Sequence, residues 1–147
     1  MARVVELNIS ESREAGRQSV GEATFVSSSG VAGDDLHHGS RHGVSLLAKE
    51  SLDRIDAMGI EGLCTRRFYA NIVTQGAELF CLSVGTRLII GDVRLAITQI
   101  GKPCWKDDGC AIYDSSFDCI LKNEAVFADI EEGGVIHVGD DVTAGQP

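Results

Sequence analysis

The sequence is short of positive charge. Thirteen Lys and Arg stand against 22 Asp and Glu, a formal charge of −9 at pH 7. This balance argues against nucleic acid and anionic membrane surfaces as partners, because phosphate backbones need a basic footprint. An anionic small molecule remains compatible with it where a few Arg and Lys gather in a cleft. No apolar run reaches the length of a signal peptide or a membrane span, so a cytoplasmic location is expected. Nucleophile elbow, P-loop, dinucleotide fingerprint and HExxH motifs are all missing, which removes the common hydrolase, nucleotide-binding and zincin readings. At 147 residues, with no linker or shift of composition, the chain reads as one domain, residues 1–147. Its five cysteines are an odd count, expected to be thiols in a reducing compartment.

Val, Ile and Thr-rich segments dominate what is present. "RVVELNI" (3–9) places Val5, Leu7 and Ile9 on one strand face. "SESREAGRQSVG" reads as a polar loop, and "EATFVSS" (22–28) as a second strand. "VSLLAKESLDRIDAMG" (44–59) contains the one convincing helix, with Leu52, Ile55 and Met58 at helical spacing. "ANIVTQG", "TRLIIGDVRLAITQI" and "AVFADIEEGGVIHVGDDV" read as strands. Gly91-Asp92 has the composition of a two-residue hairpin turn with glycine first, and "EEGG" (131–134) is a second hairpin candidate. A Gly-Asp pattern recurs at Gly91-Asp92 and Gly139-Asp140 as repeated turn chemistry. Short strands, glycine turns and a single helix predict a mainly β, barrel-like fold with one or two short helices.

The chemistry concentrates in three places. In "QIGKPCWKDDGC" (99–110), Pro103 fixes its own φ and biases Lys102 towards extended geometry, so the residues before Cys104 are stiff. Lys102 and Lys106 flank the thiol and favour its thiolate, which attacks electrophiles or binds soft metals. The alternative is an ordinary buried cysteine. Cys110 and Cys119 fit a thiol relay or a core, and Cys64 and Cys81 sit in apolar company that suggests packing. The C-x5-C-x8-C spacing lacks the paired knuckles of structural zinc, so zinc is not expected from the cysteines. His37, His38 and His42 cluster in a glycine-rich loop, which fits a metal site, an anion contact or a solvated loop. "CTRRFYAN" joins Arg66 and Arg67 to Asn71, a set able to hold phosphate and a heterocycle edge, or simply a charged surface.

Three segments, in order, resemble one family. They are "GDDLHHGSRHGVSLLAKESLDRI" (33–55), "RRFYANIVTQGAEL" (66–79) and "VGTRLIIGDVRLAITQIGKPC" (84–104). The family is MOSC, named for the C-terminal domain of molybdenum cofactor sulfurases, and the resemblance covers about residues 22–142. It is closest in kind to the short stand-alone bacterial members. The resemblance implies a β-barrel-like fold and binding of molybdenum cofactor, a phosphorylated pterin dithiolene. It makes Cys104 the molybdenum ligand or sulfur-carrying thiolate, with Cys110 able to resolve a Cys104 persulfide. Asn71 would hydrogen-bond the pterin or its phosphate, Lys102 would contact an oxo or sulfido group, and His37 matches a family histidine in a loop one residue shorter here. Tyr69-Ala70 stands where many reductase members have Arg-Pro, so anion binding is expected either to pass to Arg66 or Arg67 or to be weakened. No pyridoxal phosphate is expected on this chain.

Two activities follow from the resemblance. One is a domain that holds, sulfurates or transfers the cofactor, with cofactor biosynthesis or insertion proteins as partners. The other is a small reductase of N-hydroxylated compounds, which needs an electron-donor protein. A zinc or redox-sensing module built on the histidine loop is the third alternative. A shallow site with no second domain to cover it implies a pocket completed in a homodimer.

Overall fold

Alternating apolar residues and glycine turns build the chain into strands. A computed structural model describes residues 2–9, 18–27, 30–32, 44–58, 70–76, 79–101 and 124–145. In order these form β1 (Arg3–Ile9), β2 (Gln18–Val20), β3 (Glu22–Val26), β4 (Gly30–Val31), β5 (Val44–Ala48) and α1 (Lys49–Met58). Then come β6 (Ile72–Gln75), a 3-10 turn (Leu79–Cys81), β7 (Arg87–Ile90), β8 (Val93–Ile100), β9 (Val126–Glu132), β10 (Gly134–His137) and β11 (Val142–Ala144). The mainly β architecture is the expected one. One sheet runs β11-β7-β8-β9-β5-β6-β1-β2, and a smaller one runs β10-β3-β4.

The large sheet curls until its ends meet. Val4 N–H donates to Asp140 O at 2.8 Å, Gly139 N–H to Val4 O at 2.8 Å, and Val142 N–H to Ala2 O at 2.9 Å, with a bridge between Arg3 and Asp141. Inside the ring lie Leu7, Leu46, Ile72, Leu88, Leu95 and Ile97, each almost fully buried. Burying a side chain of that size stabilises the fold by roughly 2 kcal/mol relative to exposure.

The first strand departs from simple alternation. Its pairing with β6 shifts register between Val4 and Glu6. The bulge turns Val4 and Leu7 together into the barrel, while Val5 joins Leu47, Ala70, Val73 and Leu52 in a second cluster beside α1. Val5 therefore does not share the face of Leu7 and Ile9. Within "SESREAGRQSVG", Gln18–Val20 is not loop but strand β2, paired to Leu7–Ile9. Polar residues suit it because it is an edge strand, exposed on most of its surface.

Gly91-Asp92 makes the expected two-residue hairpin: Ile90 faces Val93, and Gly91 takes a φ of 56°. "EEGG" does not make a hairpin. It carries the chain from β9 in the large sheet to β10 in the small one. A Cβ on Gly133 would stand 2.4 Å from the Phe25 carbonyl oxygen, so glycine is needed where the crossing chain meets β3. Gly139-Asp140 likewise joins two sheets, and Asp140 Oδ2 accepts the His137 N–H at 2.9 Å. The two Gly-Asp turns are thus unequal in structure but meet in space: a Cβ on Gly91 would be 2.7 Å from Asp140 Oδ2.

"VSLLA" is a strand ahead of the helix, and all five of its residues are buried. β5 lies between β9 and β6, with the barrel core on one face and the cluster beside α1 on the other. α1 then connects β5 to β6, which run parallel with Leu46 opposite Ile72.

Candidate functional site

The parallel β5–α1–β6 unit holds a buried polar knot at the start of both strands. Asn71, 1% exposed, is its centre. Its Oδ1 accepts from Ser45 N–H at 3.1 Å and Ser45 Oγ at 3.2 Å, and its own N–H donates to Ser45 Oγ at 3.1 Å. Its Nδ2 donates to Asn8 O at 3.1 Å, and Asn8 N–H returns a bond to Asn71 O at 2.9 Å. Asn8 Nδ2 reaches Ala70 O at 2.9 Å. Three strands are thereby tied through one amide, which is how buried polar groups avoid a desolvation penalty.

A second cluster lies where α1 begins. Glu124, 9% exposed, accepts from Ser51 Oγ at 2.5 Å and from Arg54 Nη1 at 2.9 Å, and it also pairs with Arg54 Nη2. The Arg54 guanidinium stands 5.9 Å from the centroid of Phe80. A nearly buried carboxylate requires such partners, and the forked guanidinium meets both of its oxygens. Beside it, Gly101 N–H donates to Ala125 O at 2.6 Å, Gln99 Nε2 donates to Gly101 O at 2.8 Å, and Gly101 has a φ of 90°. That backbone conformation redirects the chain as it leaves β8.

Register relates the two clusters. Leu46 faces Ile72 on one side and Val126 on the other, and Ile100 also faces Val126. Gly101 thus lies one step past this row, towards the end of β5 where α1 starts. Val44 and Ala70, next to the knot, lie at the opposite end. The segment carrying His37 and the segment carrying Arg66 and Arg67 rejoin the sheet at the knot, whereas residues 102–123 depart from Gly101 and return at Glu124.

Of the residues singled out in the sequence, Asn71 is described. Cys104, Cys110, His37, Arg66, Arg67 and Lys102 lie outside the described residues, as do His38, His42, Lys106, Cys64 and Cys119. Cys81 is not packed as its apolar company suggests: the 3-10 turn buries Leu79 and leaves Cys81 exposed. Among the described residues no three His, Cys, Asp or Glu gather as a metal site, and no helix is long and apolar enough to cross a membrane. Asn8, Ser45, Arg54 and Glu124 escaped the sequence reading. Ser45 carried a usable signal, a polar residue inside an unbroken apolar strand.

The profile of the MOSC domain matches residues 33–109, a span that includes the histidine loop, the arginine pair, Asn71 and Cys104. No curated protein matches the chain. Among solved structures, the YUAD protein from Bacillus subtilis superposes with a TM-score of 0.72 at 18% identity, covering 98% of this chain and 96% of its own. YiiM from Geobacillus stearothermophilus gives 0.63 at 14% identity, covering 99% and 76%. YiiM from Escherichia coli gives 0.61 at 14% identity, covering 99% and 70%. At these identities the structural likeness speaks for the fold, and the matched span speaks for the family. The chain belongs to the MOSC domain family, which is associated with molybdenum cofactor binding.

Proposed function

We propose that this chain binds molybdenum cofactor and presents Cys104 to it, as metal ligand or sulfur carrier, in order to hold, sulfurate or hand over the cofactor. The observation that carries the reading is the turn at Gly101. Strand β8 ends there in a conformation that suits glycine, with its N–H and its carbonyl both bonded, three residues before the cysteine. Such an anchor gives the Lys102-Pro103-Cys104 run a fixed origin.

The donor chemistry fits the group. A single thiol between two lysines is a soft ligand with a cationic setting, suited to a high-valent metal and to an anionic cofactor. When bound, the cofactor supplies a molybdenum centre at which sulfur or oxygen ligands exchange. Cys104 gives up its proton to solvent, and Lys102 and Lys106 stabilise the resulting thiolate. Arg66 and Arg67 offer forked donors for the cofactor phosphate. Asn71 serves by holding β1, β5 and β6 together where the histidine and arginine segments rejoin the sheet. Its Oδ1 is used twice by Ser45, so any contact from that atom to the pterin would have to share it.

The test is to mix reduced protein anaerobically with released cofactor, desalt it, and measure molybdenum and oxidised pterin fluorescence per chain. Wild type should retain both signals and Cys104→Ser should lose the molybdenum. Equal retention in both proteins would remove Cys104 from the site, and no retention in either would defeat the reading. Turnover of an N-hydroxylated base with a reduced dye, run on loaded protein, then separates a reductase from a carrier.

A further inference from the structure

We propose that Glu6, Asn8 and Ser19 form a binding site for a hard divalent cation, of the calcium kind, where strands β1 and β2 join. The site draws on none of the side chains assigned to the cofactor above.

Ser19 Oγ stands 3.3 Å from Glu6 Oε1 and 3.3 Å from Asn8 Oδ1. A hydroxyl has one proton, so it serves only one of these acceptors at a time. Both separations are also long for such a bond, which centres near about 2.8 Å. Ser51 shows the tighter case, with its hydroxyl 2.5 Å from the Glu124 carboxylate. The spacing around Ser19 is instead that of neighbouring ligands on a shared ion. At about 2.4 Å from calcium, two oxygens set at a right angle are roughly 3.4 Å apart.

Asn8 is held in place to serve as a ligand. Its Nδ2 donates to Ala70 O at 2.9 Å and the residue is 1% exposed, so its Oδ1 is directed at Ser19 and kept from bulk water. A buried carbonyl oxygen needs a positive partner, and a shared hydroxyl proton is a poor one. Glu6 is half-buried and Ser19 is exposed, so an ion with its remaining waters has access from the solvent side. A carboxylate, an amide oxygen and a hydroxyl are all hard donors, which favour calcium over transition metals. The formal charge of −9 draws cations towards the surface. Lys49 feels the Glu6 charge, but its amino group is bonded to Asp53 at 2.6 Å. Asn8 is also bonded to Asn71, so a bound ion would pin edge strand β2 to the knot that joins β1, β5 and β6.

The experiment titrates calcium chloride into the full chain without cofactor, at constant ionic strength, and follows backbone amides in proton–nitrogen NMR spectra. Cofactor retention plays no part in it, so it stands or falls separately from the proposed function. Wild type should show saturable shifts confined to the amides of Glu6–Ile9 and Gln18–Val20, with a Kd of roughly 1 mM for a site with one carboxylate. Glu6→Gln should weaken binding about tenfold and Ser19→Ala about threefold, because each loses one ligand and the first also loses the charge. Glu22→Gln removes the same charge from another strand and should leave the Kd unchanged. Shifts that do not saturate, or that spread over the acidic surface, would reduce the effect to screening and overturn the proposal. So would an equal loss in Glu6→Gln and Glu22→Gln. Equal affinity for magnesium, which gives up its waters reluctantly, would mean an ion held at a distance and would overturn it as well.

Discussion

Along β7 exposed and buried residues alternate without a break, whereas along β5 every residue is buried. The two strands belong to one curled sheet, but they are encoded in different ways. β7 and β8 form a hairpin with one face on the core and the other in water, and ion pairs such as Arg87–Glu131 and Arg94–Glu132 cross the wet face. β5 has core on both sides, and its polar member, Ser45, survives burial through Asn71. The lesson concerns where function attaches. The antiparallel hairpin is closed at one end by its own short turn and leads at the other, past Gly101, to Cys104, while the segments carrying the candidate histidines and arginines join the doubly buried β5–α1–β6 unit.

That contrast can be broken by mutation, beginning with its largest expected effect. Leu46→Ala should cost about 3 kcal/mol, since Leu46 is fully buried in the central strand. Ile89→Ala, on the wet face of β7 and 39% exposed, should cost roughly 0.5 kcal/mol or less. Urea unfolding of the two variants side by side measures the difference, and equal losses would erase the distinction between the strands. Next is Asn71→Ala, which strands Ser45 N–H and Asn8 O without these partners and should cost about 2 kcal/mol in the same assay.

A gain should come from Thr74→Val. The Thr74 hydroxyl is buried in β6 with no hydrogen-bond partner among the described residues, so an isosteric methyl should stabilise the chain by about 1 kcal/mol. A loss of stability there would show that the hydroxyl is in use. The smallest effect belongs to Lys49→Met on the exposed face of α1. Hydrogen bonding and charge from Asp53 raise the Lys49 pKa above its ordinary 10.5. With the folded pKa above the unfolded one, whatever the pair contributes is complete below pH 10.5 and fades as pH rises through the folded value. Melting curves of wild type and Lys49→Met should therefore keep a constant offset from pH 6 to 9, within the scatter of replicates.

The same contrast explains what could be read from sequence. Gly91-Asp92 was legible as a turn and Leu52 as a helical residue because both signals are local. The bulge that separates Val5 from Leu7, the edge strand Gln18–Val20, and the crossing at Gly133 were not, because each depends on a neighbour far along the chain. Asn71 was singled out beside the arginine pair and again by the family pattern, but its bonds to Ser45 and Asn8 arise from three strands meeting. Glu124 had no sequence signal at all: its burial comes from Ser51 and Arg54, neighbours one turn apart on a distant helix.

The seam between Val4 and Asp140 sets an order of events during synthesis. Strand β1 leaves the ribosome before the rest of the barrel, yet part of its edge finds its partner in the last described strand region. Until residues 139–142 emerge, the ring is a sheet with an open flank, and the Val4 carbonyl and amide are a ready template for another chain. Closure therefore waits on residues 139–142, and nascent chains stalled short of that point are the ones a chaperone would be expected to guard.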